Sequence, residues 1–132
     1  MNELMDRLDA MNRPQCLCHV DANVDNFLFF EDGGVKLLDW EYAGMSDPMQ
    51  DIAMCAIYSY YDEAQTEKLA ELYLGRKPDA EEYFAIFANA ALGGFLWSLW
   101  AVYKAELGEE FGEYTLIMYR YAKRYYKLLQ KS

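Results

Sequence analysis

The sequence predicts an α+β fold that is mostly helical, with one β-hairpin followed by about four helices, in a single domain over residues 1–132. Three observations carry this. Two apolar runs, "FLFF" at 27–30 and "VKLL" at 35–38, flank Glu31-Asp32-Gly33-Gly34, whose adjacent glycines suit the positive φ values of a tight turn. Beyond residue 47 the apolar stretches are long and are punctuated by helix starts and stops. A composition that is 54% hydrophobic and 17% aromatic supplies a packed core and excludes a disordered chain.

Each element follows from local pattern. Residues 2–11 carry Leu4, Met5, Leu8 and Met11 on one face, a helix that stops before Asn12 and Pro14. "CLCHV" at 16–20 reads as a short extended segment leading into a polar stretch, "DANVDN", at the mouth of the hairpin. Asp47-Pro48 marks a helix start, with Asp47 as N-cap, running through "MQDIAMCAIYSYY" to residue 61. A second helix spans about 62–74 and ends at Gly75. A third runs from near Asp79 to about Leu107, and a fourth covers 109–131. That last helix places Ile117, Tyr121, Tyr125 and Leu128 on one stripe, and gathers Arg120, Lys123, Arg124, Lys127 and Lys131 toward its C-terminal end.

Composition excludes several classes of function. A net charge of −10, from 22 acids against 12 bases, disfavours a nucleic-acid surface and favours cationic ligands. Cys16, Cys18 and Cys55 form an odd set without a secretory leader, which points to a reducing cytoplasm rather than a disulfide framework. Cys-Leu-Cys-His lacks the second ligand pair of a zinc knuckle. The apolar stretch 83–103 approaches membrane-spanning length, but Asn89, Gly93, Gly94 and Ser98 interrupt it, so a buried core helix is expected and no membrane span.

The chemistry concentrates around the hairpin. The chain's one histidine, His19, stands two residues before Asp21, and Asn26 follows five residues later. This is the kinase catalytic-loop spacing H-x-D-x-x-x-x-N, and Asp39 lies past the hairpin where kinases keep a metal-binding Asp. Such a loop presents a carboxylate to a substrate hydroxyl, while an amide oxygen and a second carboxylate meet at magnesium ions on the nucleotide phosphates. The other reading makes these residues turn formers and caps; three matches at fixed offsets around a hairpin weigh against it.

"CHVDANVDNFLF" with "VKLLDWEYAGMSDPMQDIA" resembles the C-terminal lobe of the choline/ethanolamine kinases, relatives of the aminoglycoside phosphotransferases within the protein-kinase-like fold. The resemblance is strongest over 16–53 and extends more loosely through the C-terminal helices. It implies ATP and Mg2+ as cofactors, Asp21 as catalytic base, Asn26 and Asp39 as nucleotide-side and metal ligands, and Glu41 as a further acid beside the metal. His19 belongs to the same catalytic group, holding the loop by a backbone hydrogen bond. Asp51 has two readings, a brace for the catalytic loop or an ordinary first-turn acid.

The resemblance also reaches "FLWSLW", where Trp97 and Trp100 lie three residues apart on one helix face and match a tryptophan pair that walls the trimethylammonium site. Spacing alone would make them core residues. Tyr58 and Tyr61 are candidates to complete the cage. The implied substrate is a small cationic alcohol such as choline, with an aminoglycoside or another small alcohol as the alternative.

A kinase also needs a glycine-rich loop and a strand lysine over the phosphates. Neither occurs among these 132 residues. The expectation is therefore a catalytic and substrate-binding lobe without its nucleotide lobe, with little turnover alone. A non-catalytic module, or a homodimer through the face such a lobe would cover, is the alternative from another class.

Overall fold

The computed structural model describes residues 1–130; the predicted cation Lys131 lies outside them. The chain runs α1 (Asn2–Ala10), β1 (Cys16–Cys18), a 3₁₀ turn (Val24–Asn26), β2 (Phe27–Phe29), β3 (Val35–Leu37), β4 (Gly44–Ser46), α2 (Met49–Tyr58), α3 (Glu63–Leu74), α4 (Ala80–Glu106) and α5 (Tyr114–Leu129).

The hairpin is where the turn chemistry puts it. β2 and β3 pair antiparallel with Phe27 opposite Leu37 and Phe29 opposite Val35. Gly33 takes φ +84°, and the Gly34 N–H donates to the Asp32 carboxylate at 2.9 Å. A second two-stranded sheet was not expected: β1 pairs antiparallel with β4, Cys16 opposite Ser46 and Cys18 opposite Gly44. "GMS" is too short to signal a strand, and its partner lies far back along the chain.

α3 and α4 begin at the residues that the sequence marks. Asp62 and Gln65 close a capping box at the start of α3, and Gly75 ends that helix at φ +69°. Asp79 and Glu82 make the same box on α4, where Arg76 grips Glu82 through both guanidinium nitrogens at 2.7 Å.

Four expectations are corrected. α1 ends one residue early, at Ala10. α2 ends at Tyr58, since Tyr60 takes φ +56°, so Tyr61 lies beyond the helix. Pro48 occupies the N-cap position of α2, while Asp47 still accepts from the Met49 N–H at 2.9 Å. α5 starts at Tyr114, five residues later than predicted, because Gly108 (φ +88°) and Gly112 (φ +54°) bend the connection out of helical geometry.

α4 is the spine. Its small residues Ala85, Ala88, Ala90, Ala91, Gly93 and Gly94 are buried, which lets α2 and α5 approach closely. At Gly94 a Cβ would stand 2.7 Å from the Met118 carbonyl oxygen and 3.0 Å from the Ala122 nitrogen, so the α5 backbone itself touches α4 there. Phe87, Ile86, Met49, Ile57, Met118 and Tyr125 fill the core around this contact. Each such side chain contributes about 1.5–3 kcal/mol on full burial. α4 is also long and apolar enough to cross a membrane, but half of its most apolar window is packed inside the fold.

Candidate active site

The polar loop is anchored from α2. Asp51, in the first turn of that helix, accepts the main-chain N–H of His19 at 2.8 Å and of Val20 at 2.7 Å. The anchor answers a local strain, since Val20 is a β-branched residue at φ +70°. Such a conformation costs about 1–3 kcal/mol, and two hydrogen bonds to a carboxylate, about 1.5–3 kcal/mol each, offset it.

His19 ties the loop to the hairpin's exit. It is buried, and its Nε2 lies 2.6 Å from the Leu38 carbonyl. A carbonyl only accepts, so Nε2 donates to it, while the buried Nδ1 has no partner among the described residues. The imidazole meets Trp40 edge-on at 4.9 Å, and the Trp40 indole N–H donates to the Leu37 carbonyl at 2.9 Å. Two successive carbonyls are thus held just before Asp39, which adopts φ +59°.

Asp21 and Asn26 come together. The Asn26 Nδ2 donates to the Asp21 main-chain oxygen at 3.0 Å and lies 3.3 Å from its Oδ2. This spends the amide's N–H side and leaves its oxygen free. The Leu38 N–H donates to the Asn26 carbonyl at 2.8 Å, so Asp39 follows directly on the residue bonded to Asn26. Asp39 and Glu41 are exposed. Neither makes a side-chain hydrogen bond or ion pair among the described residues, where no three His, Cys, Asp or Glu side chains gather into a metal cluster. The Asn26 amide oxygen and the two carboxylates are hard-oxygen donors, the chemical type that Mg2+ takes.

Beside Asp21 lies an arc of aromatic rings. Tyr58 on α2 meets Trp97 on α4 at 6.0 Å, Trp97 meets Trp100 at 5.5 Å edge to face, Trp100 meets Phe111 at 4.9 Å, and Phe111 meets Tyr114 at 6.3 Å. Both ends of the arc feel the Asp21 charge. Burial first and then the Asp21 carboxylate push the Tyr58 phenol up. Burial, then Tyr60 and Asp21, push Tyr114 up to about 12. Asp21 is near enough to act on Tyr58, yet no hydrogen bond closes between them: the Tyr58 hydroxyl and the Trp97 indole N–H are both buried without partners. On the outer side, the Lys104 ammonium sits 5.7 Å from the Trp100 ring centre and pairs with Glu109 at 2.7 Å.

The structure therefore brings Trp97, Trp100 and Tyr58 together and leaves Tyr61 apart. No ring contact joins Tyr61 to the arc; its main-chain oxygen accepts the Tyr121 hydroxyl at 3.0 Å and lies 3.4 Å from that of Tyr125. The helix predicted over 109–131 conceals Phe111, which lies in the connection before α5, and with it the ring contact to Tyr114. The Phe-Gly pair at 111–112, a helix breaker beside an aromatic, was the available signal.

A model of the phosphotransferase enzyme family matches residues 1–87. Protein LicA of Haemophilus influenzae is 32% identical over 114 residues, covering 82% of this chain and 32% of LicA. Among solved structures, choline kinase LicA from Streptococcus pneumoniae superposes with a TM-score of 0.76 at 33% identity, over 93% of this chain and 43% of that one. A structure of LicA in complex with AMP matches with a TM-score of 0.77 at 32% identity, over 93% and 42%. The chain spans about a third of the curated relative's length and under half of each solved one.

Proposed function

Given that the chain belongs to the phosphotransferase enzyme family, we propose that it is the catalytic and substrate-binding lobe of a larger kinase that moves the γ-phosphoryl of ATP to the hydroxyl of choline or a related amino alcohol. The observation that carries this reading is the aromatic arc whose two ends both lie within reach of the Asp21 charge. A quaternary ammonium has no N–H to donate, so aromatic faces and nearby carboxylates hold it, each desolvated contact contributing about 0.5–2 kcal/mol. A headgroup held there would carry its hydroxyl, a short carbon chain away, toward Asp21.

Asp21 accepts the hydroxyl proton as that oxygen attacks phosphorus. Asn26 supports it: the amide N–H beside Oδ2 orients the carboxylate. Asn26, Asp39 and Glu41 would hold magnesium, which when bound neutralises charge on the nucleotide phosphates. His19 and Asp51 position the loop through main-chain contacts. Phe29, 73% exposed, and the exposed Leu28, Phe30 and Val35 give the hairpin an apolar surface that suits a nucleotide-holding lobe packed against it. That a relative's structure holds AMP supports an adenine nucleotide as the phosphoryl donor. The enzyme would work in a reducing cytoplasm.

Calorimetric titration of the chain with choline, beside Trp97→Ala and Asp21→Ala, tests the reading. Binding by the parent chain and weakened binding by both variants is expected. Equal heats in all three remove the arc as a binding site, and a preference for an aminoglycoside or thiamine over choline moves the activity to another alcohol.

A further inference from the structure

Cys16 and Cys18 take no part in the site above, yet the fold brings their sulfurs to 3.8 Å. Residues two apart on a strand share a face, so β1 aligns the two thiols while Leu17 between them points away, 62% exposed. The pair is asymmetric. Cys16 is open to solvent; Cys18 is wholly buried behind it, its thiol donating to the Ser46 carbonyl at 3.4 Å. An accessible thiol backed by a second one is an arrangement for capture followed by closure.

We propose that Cys16 and Cys18 form a reversible oxidation site that takes a low-molecular-weight disulfide as oxidant and closes to an intramolecular disulfide, loosening the adjoining catalytic loop. Cys16, having lost its proton to water, attacks one sulfur of the oxidant; half of the oxidant leaves and is protonated to a thiol. Cys18 then gives up its proton and attacks the Cys16 sulfur of the mixed disulfide, releasing the other half as a second thiol. Two electrons and two protons pass from the pair to the oxidant, and excess small thiol reverses both steps.

The order of events follows from the surroundings. Burial, with the Asp51 charge and Cys16 nearby, pushes the Cys18 thiol up to about 12, so entry falls to Cys16 and closure is the slower step. Closure to about 2.05 Å draws Cys18 off the Ser46 carbonyl, where β1 meets β4. His19 and Val20 are the next two residues, and their N–H groups depend on where that strand end sits relative to Asp51.

The test is incubation of the full chain with glutathione disulfide, followed by alkylation, intact mass and peptide mapping. The parent chain is expected to lose two hydrogen masses, with the bond mapped within residues 16–18, Cys55 still alkylated, and dithiothreitol restoring the starting mass. Cys18→Ala is expected to stop at a mixed disulfide on Cys16, and Cys16→Ser to leave Cys18 unmodified. A parent chain that stays at the mixed disulfide, stays reduced or joins Cys16 to Cys55 overturns the proposal. Amide exchange at His19 and Val20 is expected to rise severalfold on oxidation; unchanged exchange overturns the coupling to the loop. None of these readouts needs phosphotransfer, so they fail or succeed independently of the kinase reading.

Discussion

Asp51 accepts the main-chain N–H groups of both His19 and Val20 through its two carboxylate oxygens, at 2.8 and 2.7 Å, from an element 31 or more residues further along the chain. One side chain thus offsets the strain of the left-handed Val20 and sets the direction in which Asp21 leaves the loop.

Replacing Asp51 with Asn removes one acceptor and turns an amide N–H toward a backbone donor. A stability loss of about 2–4 kcal/mol is expected, read as a lower urea midpoint, with faster amide exchange at His19 and Val20. Unaltered exchange at those two positions would remove Asp51 as the anchor.

The two adjacent glycines of α4 differ in what a methyl group would meet. At Gly94 the obstacle is α5 backbone, at 2.7 Å; at Gly93 it is the Met54 sulfur, at 2.7 Å on a side chain able to move. Gly94→Ala is expected to cost about 1–3 kcal/mol by forcing the helices apart, and Gly93→Ala measurably less. Thermal or urea unfolding of the two variants gives the order directly.

Binding should follow the arc as built, which includes Tyr58 and leaves out Tyr61. Trp100→Ala and Phe111→Ala are each expected to weaken choline binding by about 0.5–2 kcal/mol, roughly 2- to 30-fold. Tyr61→Phe should leave affinity unchanged, because Tyr61 contributes its main-chain oxygen and that oxygen remains. Titration calorimetry separates these outcomes.

Buried thiols and phenols set an alkaline limit, Cys18, Tyr114 and Tyr121 among them. Cys18, Tyr114 and Tyr121 are each raised to about 12, in every case by burial first. A raised pKa means the folded chain keeps a proton that the unfolded chain loses. The contribution of these three is therefore complete below about pH 9, falls as the unfolded thiol and then the unfolded phenols ionise, and is gone above about pH 12. Urea midpoints across pH 8–12 should decline most steeply from pH 10 upward; a flat profile would contradict the burial of these groups.

Local chemistry was legible in the sequence; long-range closure was not. The helix starts at Asp62 and Asp79 and the turn at Gly33 depend on residues within a few positions of one another, and all three stand where the pattern put them. β4 escaped because three residues carry no periodicity, and pairing with β1 supplies the hydrogen bonds that define it. The left-handed Val20 carries no composition signal at all. Spacing gathered Asp21, Asn26 and Asp39 into one motif, but the arc needed the α4–α5 connection, whose glycines the helical pattern of the flanking residues had overridden.

Phe111 rides on the connection between α4 and α5, with a left-handed glycine on either side of it, while the register of those two helices is locked at Gly94. On the function proposed above, ligand preference is thereby separable from folding. Residues inserted or exchanged between Gly108 and Gly112 would reshape the room available to an alcohol's headgroup without disturbing the scaffold, which makes this short bridge the natural place to engineer acceptance of bulkier amines.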